Sequence, residues 1–170
     1  MYEDLIRVLL VEDDEDDYIL TRALLEGSID PLVELDWAAT YAEAQATIAR
    51  SDHHLYLIDF DLGATTGLDL IREARIGGAQ QPMILLTAMA DRRIDLAATA
   101  AGASGFLLKP EMSVPLLERT IRYALNRGGR AGFPSRPFSL PTRTLPRHLP
   151  YREGQTATSY GQRPNLQWAP

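Results

Sequence analysis

A short apolar run that ends in a row of acids opens the chain: Leu5-Ile6-Arg7-Val8-Leu9-Leu10-Val11-Glu12-Asp13-Asp14. Four further apolar runs follow, at residues 33–37, 55–58, 83–86 and 106–108, and only the first of these alternates with polar residues. Continuous apolar runs of this length are typical of strands that are buried on both faces of a parallel sheet. The sequence therefore predicts five strands within residues 1–127.

Each apolar run precedes a segment whose apolar residues recur at helical spacing. Those residues are Tyr18, Leu20, Leu24 and Leu25; Ala42, Ala46 and Ile48; Leu68, Leu70 and Ile71; Ile94, Leu96, Ala97 and Ala100; and Leu116, Leu117, Ile121 and Leu125. Gly27, Gly77-Gly78, Gly102 and Gly128 stand where these helices are expected to end. Strands that alternate with helices predict right-handed crossovers and a parallel sheet. We therefore expect a three-layer α/β domain over residues 1–127.

The charge of the chain changes sign after this domain. Residues 1–127 carry 22 acids and 11 bases, a balance of −11, whereas residues 128–170 carry six arginines and one acid, a balance of +5. Seven of the eleven prolines also lie in residues 128–170. Because each proline removes a backbone donor and restricts the preceding residue, no helical or strand period survives there. We predict a disordered Pro/Arg-rich tail over residues 128–170.

Length and composition exclude several classes of protein. A chain of 170 residues is too short for two full-sized catalytic domains, and the lack of cysteine excludes disulfides, thiolate metal sites and cysteine nucleophiles. The first apolar run is too short and too closely flanked by acids to direct export or to span a bilayer. An acidic body also repels nucleic-acid phosphates. We expect a cytoplasmic protein that binds neither nucleic acid nor membrane.

Acidic residues follow the first and third predicted strands. Glu12 and Asp13 end the first strand, and Asp59 and Asp61 stand at the end of the third. If the strand order is 2-1-3-4-5, these two strands are neighbours and their terminal carboxylates converge. Two unit negative charges 4 Å apart repel by about 4 kcal/mol at an effective dielectric near 20, so a cation is needed to relieve the cluster. Oxygen ligands without His or Cys favour Mg²⁺.

Two more polar residues end the fourth and fifth strands. Thr87 closes the fourth and Lys109 closes the fifth, and Lys109 is the only lysine among 17 basic residues. A compact ammonium on a flexible stem can reach across one strand to a carboxylate or phosphoryl oxygen. Carboxylates, a Mg²⁺ site, a hydroxyl and an ammonium together predict that Asp59 attacks an activated phosphoryl donor and becomes an acyl phosphate.

Four motifs in this order resemble the response-regulator receiver domains of two-component signalling, the CheY-like family. They are Val8-Leu9-Leu10-Val11-Glu12-Asp13-Asp14; Leu57-Ile58-Asp59-Phe60-Asp61-Leu62 with Gly67-Leu68; Ile84-Leu85-Leu86-Thr87-Ala88; and Gly102-Ala103-Ser104-Gly105-Phe106-Leu107-Leu108-Lys109-Pro110. The resemblance covers about residues 5–127. It implies a flavodoxin-like fold, a doubly wound five-stranded parallel sheet in the order 2-1-3-4-5.

The resemblance also implies a role for each motif residue. Glu12 and Asp13 match the acidic metal pair, although Glu12 replaces the more common Asp. Asp59 matches the phosphoacceptor, and Asp61 matches the position whose backbone carbonyl completes the Mg²⁺ shell. Thr87 and Phe106 match the hydroxyl and the aromatic ring of the switch, and Lys109 matches the ammonium that binds the phosphoryl group.

A receiver of this kind is a signalling switch rather than an enzyme, and its own chemistry is limited to self-phosphorylation and self-dephosphorylation. The resemblance implies that a histidine kinase or a histidine phosphotransfer protein supplies the phosphoryl group. It also implies output through protein contacts of the face built from the fourth helix, fifth strand and fifth helix, where a weak homodimer is a further expectation. The sequence does not identify the downstream protein target.

Two other functions have weaker support. The stretch Asp59-Phe60-Asp61-Leu62-Gly63-Ala64-Thr65 resembles the Asp-x-Asp motif of haloacid-dehalogenase-type phosphatases, but that family needs an acidic pair downstream, where only Glu153 follows Glu118. A nucleotide- or flavin-binding domain lacks its phosphate cradle, because the chain has neither a Gly-x-Gly-x-x-Gly nor a Walker motif.

Two remaining features receive plainer interpretations. Adjacent His53 and His54 precede a strand and point in opposite directions, so a solvated loop is favoured over a metal site. The tail lacks the length and pattern of an output domain, which predicts a stand-alone receiver. The abrupt change of charge also fits a truncated or out-of-frame end of a longer regulator.

Overall fold

A computed structural model describes residues 5–27 and 32–127 of the chain. Its five main strands are β1 (Ile6–Val11), β2 (Val33–Ala38), β3 (Leu55–Asp59), β4 (Met83–Thr87) and β5 (Gly105–Leu108). Its helices are α1 (Glu15–Glu26), α2 (Tyr41–Arg50), α3 (Gly67–Ile76), α4 (Arg92–Ala101) and α5 (Val114–Arg127), with a short 3₁₀ helix at Lys109–Glu111. A two-stranded hairpin, Asp61–Leu62 with Thr65–Thr66, connects β3 to α3. The tail predicted to be disordered, residues 128–170, lies outside the described residues.

The five strands form one parallel sheet in the order β2-β1-β3-β4-β5. β1 pairs with both β2 and β3, so that Val11 lies opposite Ala38 on one side and opposite Ile58 on the other. All residues of β3 and β4 are buried, whereas β2 lies at the edge and is only partly covered. The predicted α/β fold and its strand order are confirmed.

Helices cover both faces of the sheet because alternate strand residues point to opposite sides. Leu9 and Val11 belong to an apolar cluster that includes buried residues of α2, α3 and α4. Val8 and Leu10 belong to a second cluster that includes buried residues of α1 and α5. Each fully buried Val, Leu or Ile contributes about 1.5–3 kcal/mol. The two clusters therefore hold the strand ends, and the polar residues on them, in fixed relative positions.

Helix boundaries follow from capping residues in the sequence. The Asp14 carboxylate accepts hydrogen bonds from the backbone N–H groups of Asp16 and Asp17 and so caps the start of α1. Gly27, Gly77 and Gly102 follow the last residues of α1, α3 and α4, as predicted. Gly102 has a φ of 93°, a left-handed conformation that favours glycine. The fourth predicted stop, Gly128, lies outside the described residues.

The interpretation of His53 as part of a solvated loop is wrong. His53 is buried, and its Nε2 hydrogen-bonds to Oδ2 of Asp36 on β2 at 2.8 Å. His54 instead accepts a hydrogen bond from the backbone N–H of Arg7 through its Nδ1. His54 therefore links the start of β3 to the adjacent strand β1, and His53 links it to β2 on the far side of β1. Neither belongs to the cluster of potential metal ligands found among the described residues.

Across residues 5–27 and 32–127, we find no helix whose length and apolar content would let it cross a bilayer.

Candidate functional site

Three carboxylates surround the ammonium group of Lys109 at the carboxyl end of the sheet. The distances from Lys109 Nζ are 2.8 Å to Glu12 Oε2, 2.7 Å to Asp59 Oδ1 and 2.6 Å to Asp17 Oδ2. The side chains of Glu12 and Asp59 are only 1% and 6% exposed, and that of Lys109 is 16% exposed. These contacts place one partly buried positive charge among three negatively charged groups.

The sheet topology explains this convergence. Glu12 directly follows β1, and Asp59 is the last residue of the adjacent strand β3, so both carboxylates lie at the same edge. Lys109 follows β5, which is separated from β3 by β4. Its long side chain spans β4 and brings Nζ to Asp59. An arginine would present a planar fork instead of three separate N–H donors on one atom.

Asp17 is part of the site, although it is not among the site residues predicted from the sequence. It lies in the first turn of α1, and the Asp14 cap fixes the start of that helix. Its carboxylate makes the shortest of the three contacts with Lys109. The available signal was the position of Asp17 on a helix that begins directly after Glu12, opposite the only lysine of the chain.

Burial shifts the ionisation of the two least exposed acids. Burial raises the pKa of Glu12 to about 7, although the hydrogen bond from Lys109 acts in the opposite direction. Burial likewise raises the pKa of Asp59, against the opposing effects of Lys109. For Lys109, burial alone would lower the pKa, but the hydrogen bonds to Asp17, Asp59 and Glu12 outweigh it and the pKa is raised. The single positive charge of Lys109 faces three carboxylates, so it compensates only part of the negative charge of the site.

Glu12, Asp13 and Asp59 form a set of potential metal ligands. One carboxylate oxygen of each lies within 4.8 Å of those of the others. Asp13 is exposed to solvent, whereas Glu12 and Asp59 are buried. An all-oxygen donor set that is open to water on one side fits a hard divalent cation such as Mg²⁺, which keeps several water ligands. Such an ion would relieve the charge excess described above.

The backbone of Glu12 is held by an aromatic pair that sequence reasoning did not anticipate. Trp37 Nε1, at the end of β2, donates a hydrogen bond to the carbonyl oxygen of Glu12 at 2.8 Å. The Trp37 ring stacks on Tyr18 of α1 with a centroid distance of 4.1 Å and an interplanar angle of 8°. Because the two rings belong to different elements, the stack ties α1 and β2 to the acidic end of β1.

The other predicted site residues occupy different environments. The Thr87 hydroxyl accepts from the N–H of Met89 and donates to its carbonyl oxygen, both at 3.3 Å. Phe106 is half-buried and packs against the apolar cluster of α2, α3 and α4. The Asp61 carboxylate is exposed, and its backbone N–H donates to Asp59 Oδ2 at 2.9 Å. Thr87 therefore lies at the same edge as the acids, while Asp61 meets Asp59 through its backbone.

Gly67 packs directly against the backbone of Asp59. A Cβ atom at this position would lie 2.0 Å from the Asp59 carbonyl oxygen and 2.9 Å from Ile58 Cγ2. The N–H of Gly67 donates to the Phe60 carbonyl oxygen at 2.9 Å. The start of α3 therefore fixes the backbone that carries Asp59, and only glycine permits this close approach.

Comparison with known proteins identifies the family. The family model of the response regulator receiver domain matches residues 8–121. The chain belongs to this family of signalling domains, and the resemblance seen in its four motifs is confirmed. The receiver domain binds Mg²⁺ through an acidic cluster, and Glu12, Asp13 and Asp59 form such a cluster here.

Individual relatives agree with this assignment. The chain is 32% identical over 107 residues to the two-component response regulator PhoP of Pseudomonas aeruginosa, covering 62% of this chain and 45% of that protein. It is 34% identical over 136 residues to the swarming motility regulation protein RssB of Serratia marcescens, covering 79% and 59%. The chain thus spans about half the length of the curated relatives that it matches. A solved CheY-like receiver domain protein from Methanospirillum hungatei superimposes with a TM-score of 0.65 at 27% identity, covering 76% of this chain and 100% of that one.

Proposed function

We propose that this protein is a phosphorylation-dependent switch that accepts a phosphoryl group on Asp59. The contact between Lys109 Nζ and Asp59 Oδ1 at 2.7 Å, beside the Glu12 and Asp13 carboxylates, carries this proposal. It brings an oxygen nucleophile, a fixed positive charge and a set of hard metal ligands together at one solvent-accessible edge. This combination suits phosphoryl transfer, which depends mainly on positioning and charge neutralisation.

In the proposed reaction, a carboxylate oxygen of Asp59 forms a bond to phosphorus as the bond from phosphorus to the donor breaks. The donor is the phosphohistidine of a histidine kinase or of a phosphotransfer protein, whose imidazole keeps the electron pair of the broken bond. Lys109 stabilises the negative charge on the transferred phosphoryl oxygens. Mg²⁺ held by Glu12, Asp13, Asp59 and the Asp61 carbonyl would neutralise further charge. Self-catalysed transfer from a small phosphodonor and hydrolysis by water complete the chemistry.

The proposed output depends on the edge of the sheet next to Asp59. Thr87 would exchange its hydrogen bonds with Met89 for one to the phosphoryl group, and Phe106 would respond by repacking. The α4-β5-α5 face would then present a different surface to a protein target, or to a second copy of the chain. We place this activity in the cytoplasm.

Beryllofluoride, a phosphoryl analogue, tests the proposal directly. We expect it to bind the wild-type protein only when Mg²⁺ is present, and acetyl phosphate to label the protein with one phosphoryl group under the same conditions. Asp59→Asn should abolish both, because the amide removes the nucleophilic oxygen. The matched control is Asp61→Asn, which leaves the backbone contacts of Asp61 intact and should retain binding. Equal labelling of the wild type and Asp59→Asn would contradict the proposal.

The same pair of variants addresses the phosphatase alternative. A haloacid-dehalogenase mechanism needs the Asp61 carboxylate beside Asp59, but that carboxylate is exposed and is absent from the acid cluster formed by the described residues. The carboxylates that contact Lys109 besides Asp59 are Glu12 and Asp17, which lie upstream of Asp59. Hydrolysis of a phosphomonoester that Asp61→Asn abolishes would favour the alternative instead.

A further inference from the structure

Three carboxylates already surround the ammonium group of Lys109 that would bind a phosphoryl oxygen. An ammonium group carries three N–H donors. In this structure Nζ donates hydrogen bonds to Glu12 at 2.8 Å and to Asp17 at 2.6 Å, and it forms an ion pair with Asp59 at 2.7 Å. If Lys109 binds the phosphoryl group of phosphorylated Asp59, as the proposed function requires, at least one of these contacts must be given up.

The three carboxylates differ in how easily they can move away from the Lys109 ammonium group. Glu12 is 1% exposed and also accepts a hydrogen bond from the backbone N–H of Asp14. Its movement away from Lys109 would leave a buried charge without a partner. Asp59 carries the phosphoryl group itself, so the negative charge that Lys109 contacts there moves to the phosphoryl oxygens and the ion pair is exchanged within the same residue. Asp17 is 42% exposed and can turn toward water at little cost. Asp17 is therefore the carboxylate that is most easily displaced from Lys109 when phosphoryl oxygens approach.

We propose that Asp17 is a positioning residue that holds the Lys109 ammonium in the resting site and competes for it with the phosphoryl group on Asp59. This inference rests on the proposed function. Asp17 acts through Lys109 and takes no part in the bond-forming step. Its carboxylate lowers the occupancy of the phosphorylated state in two ways, because it engages the lysine and adds a negative charge beside the incoming phosphoryl oxygens.

The test measures how tightly beryllofluoride binds to the wild type and to Asp17→Asn at saturating Mg²⁺, with the saturating concentration determined for each protein separately. Because Lys109 is the only lysine, lysine-selective labelling gives a single ε-carbon NMR resonance that reports directly on this side chain. We expect Asp17→Asn to reach half-saturation at about two- to fivefold lower beryllofluoride than the wild type, which is the range expected for a partly exposed ion pair.

Asp16→Asn is the matched control, because it removes the same charge one residue away but Asp16 is not among the carboxylates that contact Lys109. It should stay within about 1.5-fold of the wild type, since only screened long-range charge is lost. Asp17→Glu retains a carboxylate and should restore binding to near the wild-type value. Without beryllofluoride, Asp17→Asn should shift the Lys109 resonance and Asp16→Asn should leave it unchanged.

The outcomes separate this inference from the proposed function. If the wild type fails to bind beryllofluoride with Mg²⁺, the proposed function fails and the role of Asp17 falls with it. If the wild type binds, but Asp17→Asn binds as the Asp16→Asn control does or more weakly than the wild type, only the inference on Asp17 is overturned. Circular dichroism of each variant verifies that the comparison is made between folded proteins.

Discussion

Lys109 brings three carboxylates from three different elements to one atom. Glu12 follows β1, Asp17 lies on α1 and Asp59 ends β3, and each contacts Nζ within 2.8 Å. A guanidinium group spreads its donors over a rigid plane and would not offer three N–H groups from a single nitrogen. The single lysine in a chain that otherwise uses arginine thus has a structural explanation. Its charge compensates only part of the surrounding negative charge, which leaves the site suited to a divalent ion.

Glu12 makes the stability of the metal-free protein depend on pH. Burial raises its pKa from 4.5 to about 7, so the folded state binds a proton more tightly than the unfolded state. The contribution of Glu12 to the free energy of unfolding is therefore greatest below about pH 4.5, and it is lost as the pH rises through about 7. The expected loss is up to about 3 kcal/mol, because each tenfold difference in proton affinity between the two states corresponds to about 1.4 kcal/mol. Urea unfolding in a chelating buffer at several pH values measures it.

Glu12→Gln identifies the source of this loss. The amide can still accept a hydrogen bond from Lys109 but does not titrate. We therefore expect the fall in unfolding free energy with rising pH to be about 3 kcal/mol smaller than in the wild type. Glu15→Gln, an exposed position in the first turn of α1, should retain the wild-type profile. Identical pH profiles for Glu12→Gln and the wild type would show that another group is responsible.

At the level of single elements, the start of α3 controls the position of the Asp59 backbone. Gly67→Ala would place Cβ 2.0 Å from the Asp59 carbonyl oxygen, so β3 or α3 must shift. We expect the free energy of unfolding to fall by about 1–3 kcal/mol, the usual cost of overpacking, and the affinity for beryllofluoride to fall with it. Urea unfolding and beryllofluoride titration measure the two effects.

Gly105→Ala is the control for this change, because a Cβ on Gly105 would meet no atom within 4 Å. Its unfolding free energy should stay within about 0.5 kcal/mol of the wild type. Should Gly67→Ala unfold at the same urea concentration as the control and bind the analogue normally, the proposed coupling between α3 and Asp59 would be wrong.

Arg75 of α3 joins the loop before β4 to the end of α4. Its guanidinium donates to the carbonyl oxygens of Ala79, Gln81 and Gly102 at 2.7, 2.9 and 3.0 Å. Arg75→Met keeps much of the apolar stem but leaves these carbonyls without their donor. We expect a loss of about 1–3 kcal/mol in unfolding free energy, because three part-buried carbonyl oxygens lose hydrogen bonds from a charged donor and can be reached in part by water. Hydrogen exchange in α4 should also become faster.

Arg72→Met provides the comparison on the same helix. Arg72 is exposed and pairs with Asp69 at 2.9 Å, a surface contact worth about 0.2–1 kcal/mol. Its loss should leave hydrogen exchange in α4 unchanged. Equal destabilisation by both variants would argue against a special role of Arg75.

On the scale of the whole molecule, the described residues of both apolar clusters lie between Ile6 and Leu125. A chain that ends after Arg127 keeps every contact among these described residues. We therefore expect residues 1–127 alone to fold and to show a thermal midpoint within about 3 °C of the full chain, because a change of 1 kcal/mol shifts the midpoint by several degrees. Scanning calorimetry compares the two. A much lower midpoint for the shorter chain would mean that residues 128–170 contribute to stability.

The sequence by itself predicted the elements because their signals are local. Apolar runs such as Val8 to Val11 mark strands that are covered on both faces, and Asp14 and Gly27 mark the two ends of α1. The four motifs, read in order, also identified the receiver family and with it the strand order. These features follow from backbone geometry and residue type within a few positions along the chain.

The remaining contacts were decided only by the tertiary structure. Asp17 is separated from Lys109 by 92 residues, and Trp37 from Glu12 by 25. His53 reaches Asp36 for the same kind of reason, since β1 stands between their elements in the sheet. The sequence alone does not reveal such pairs, because an exposed acid on a helix and an acid paired with a partly buried ammonium have the same sequence pattern. Sheet order and helix packing bring these groups within hydrogen-bonding distance, and that proximity makes Asp17 part of the site.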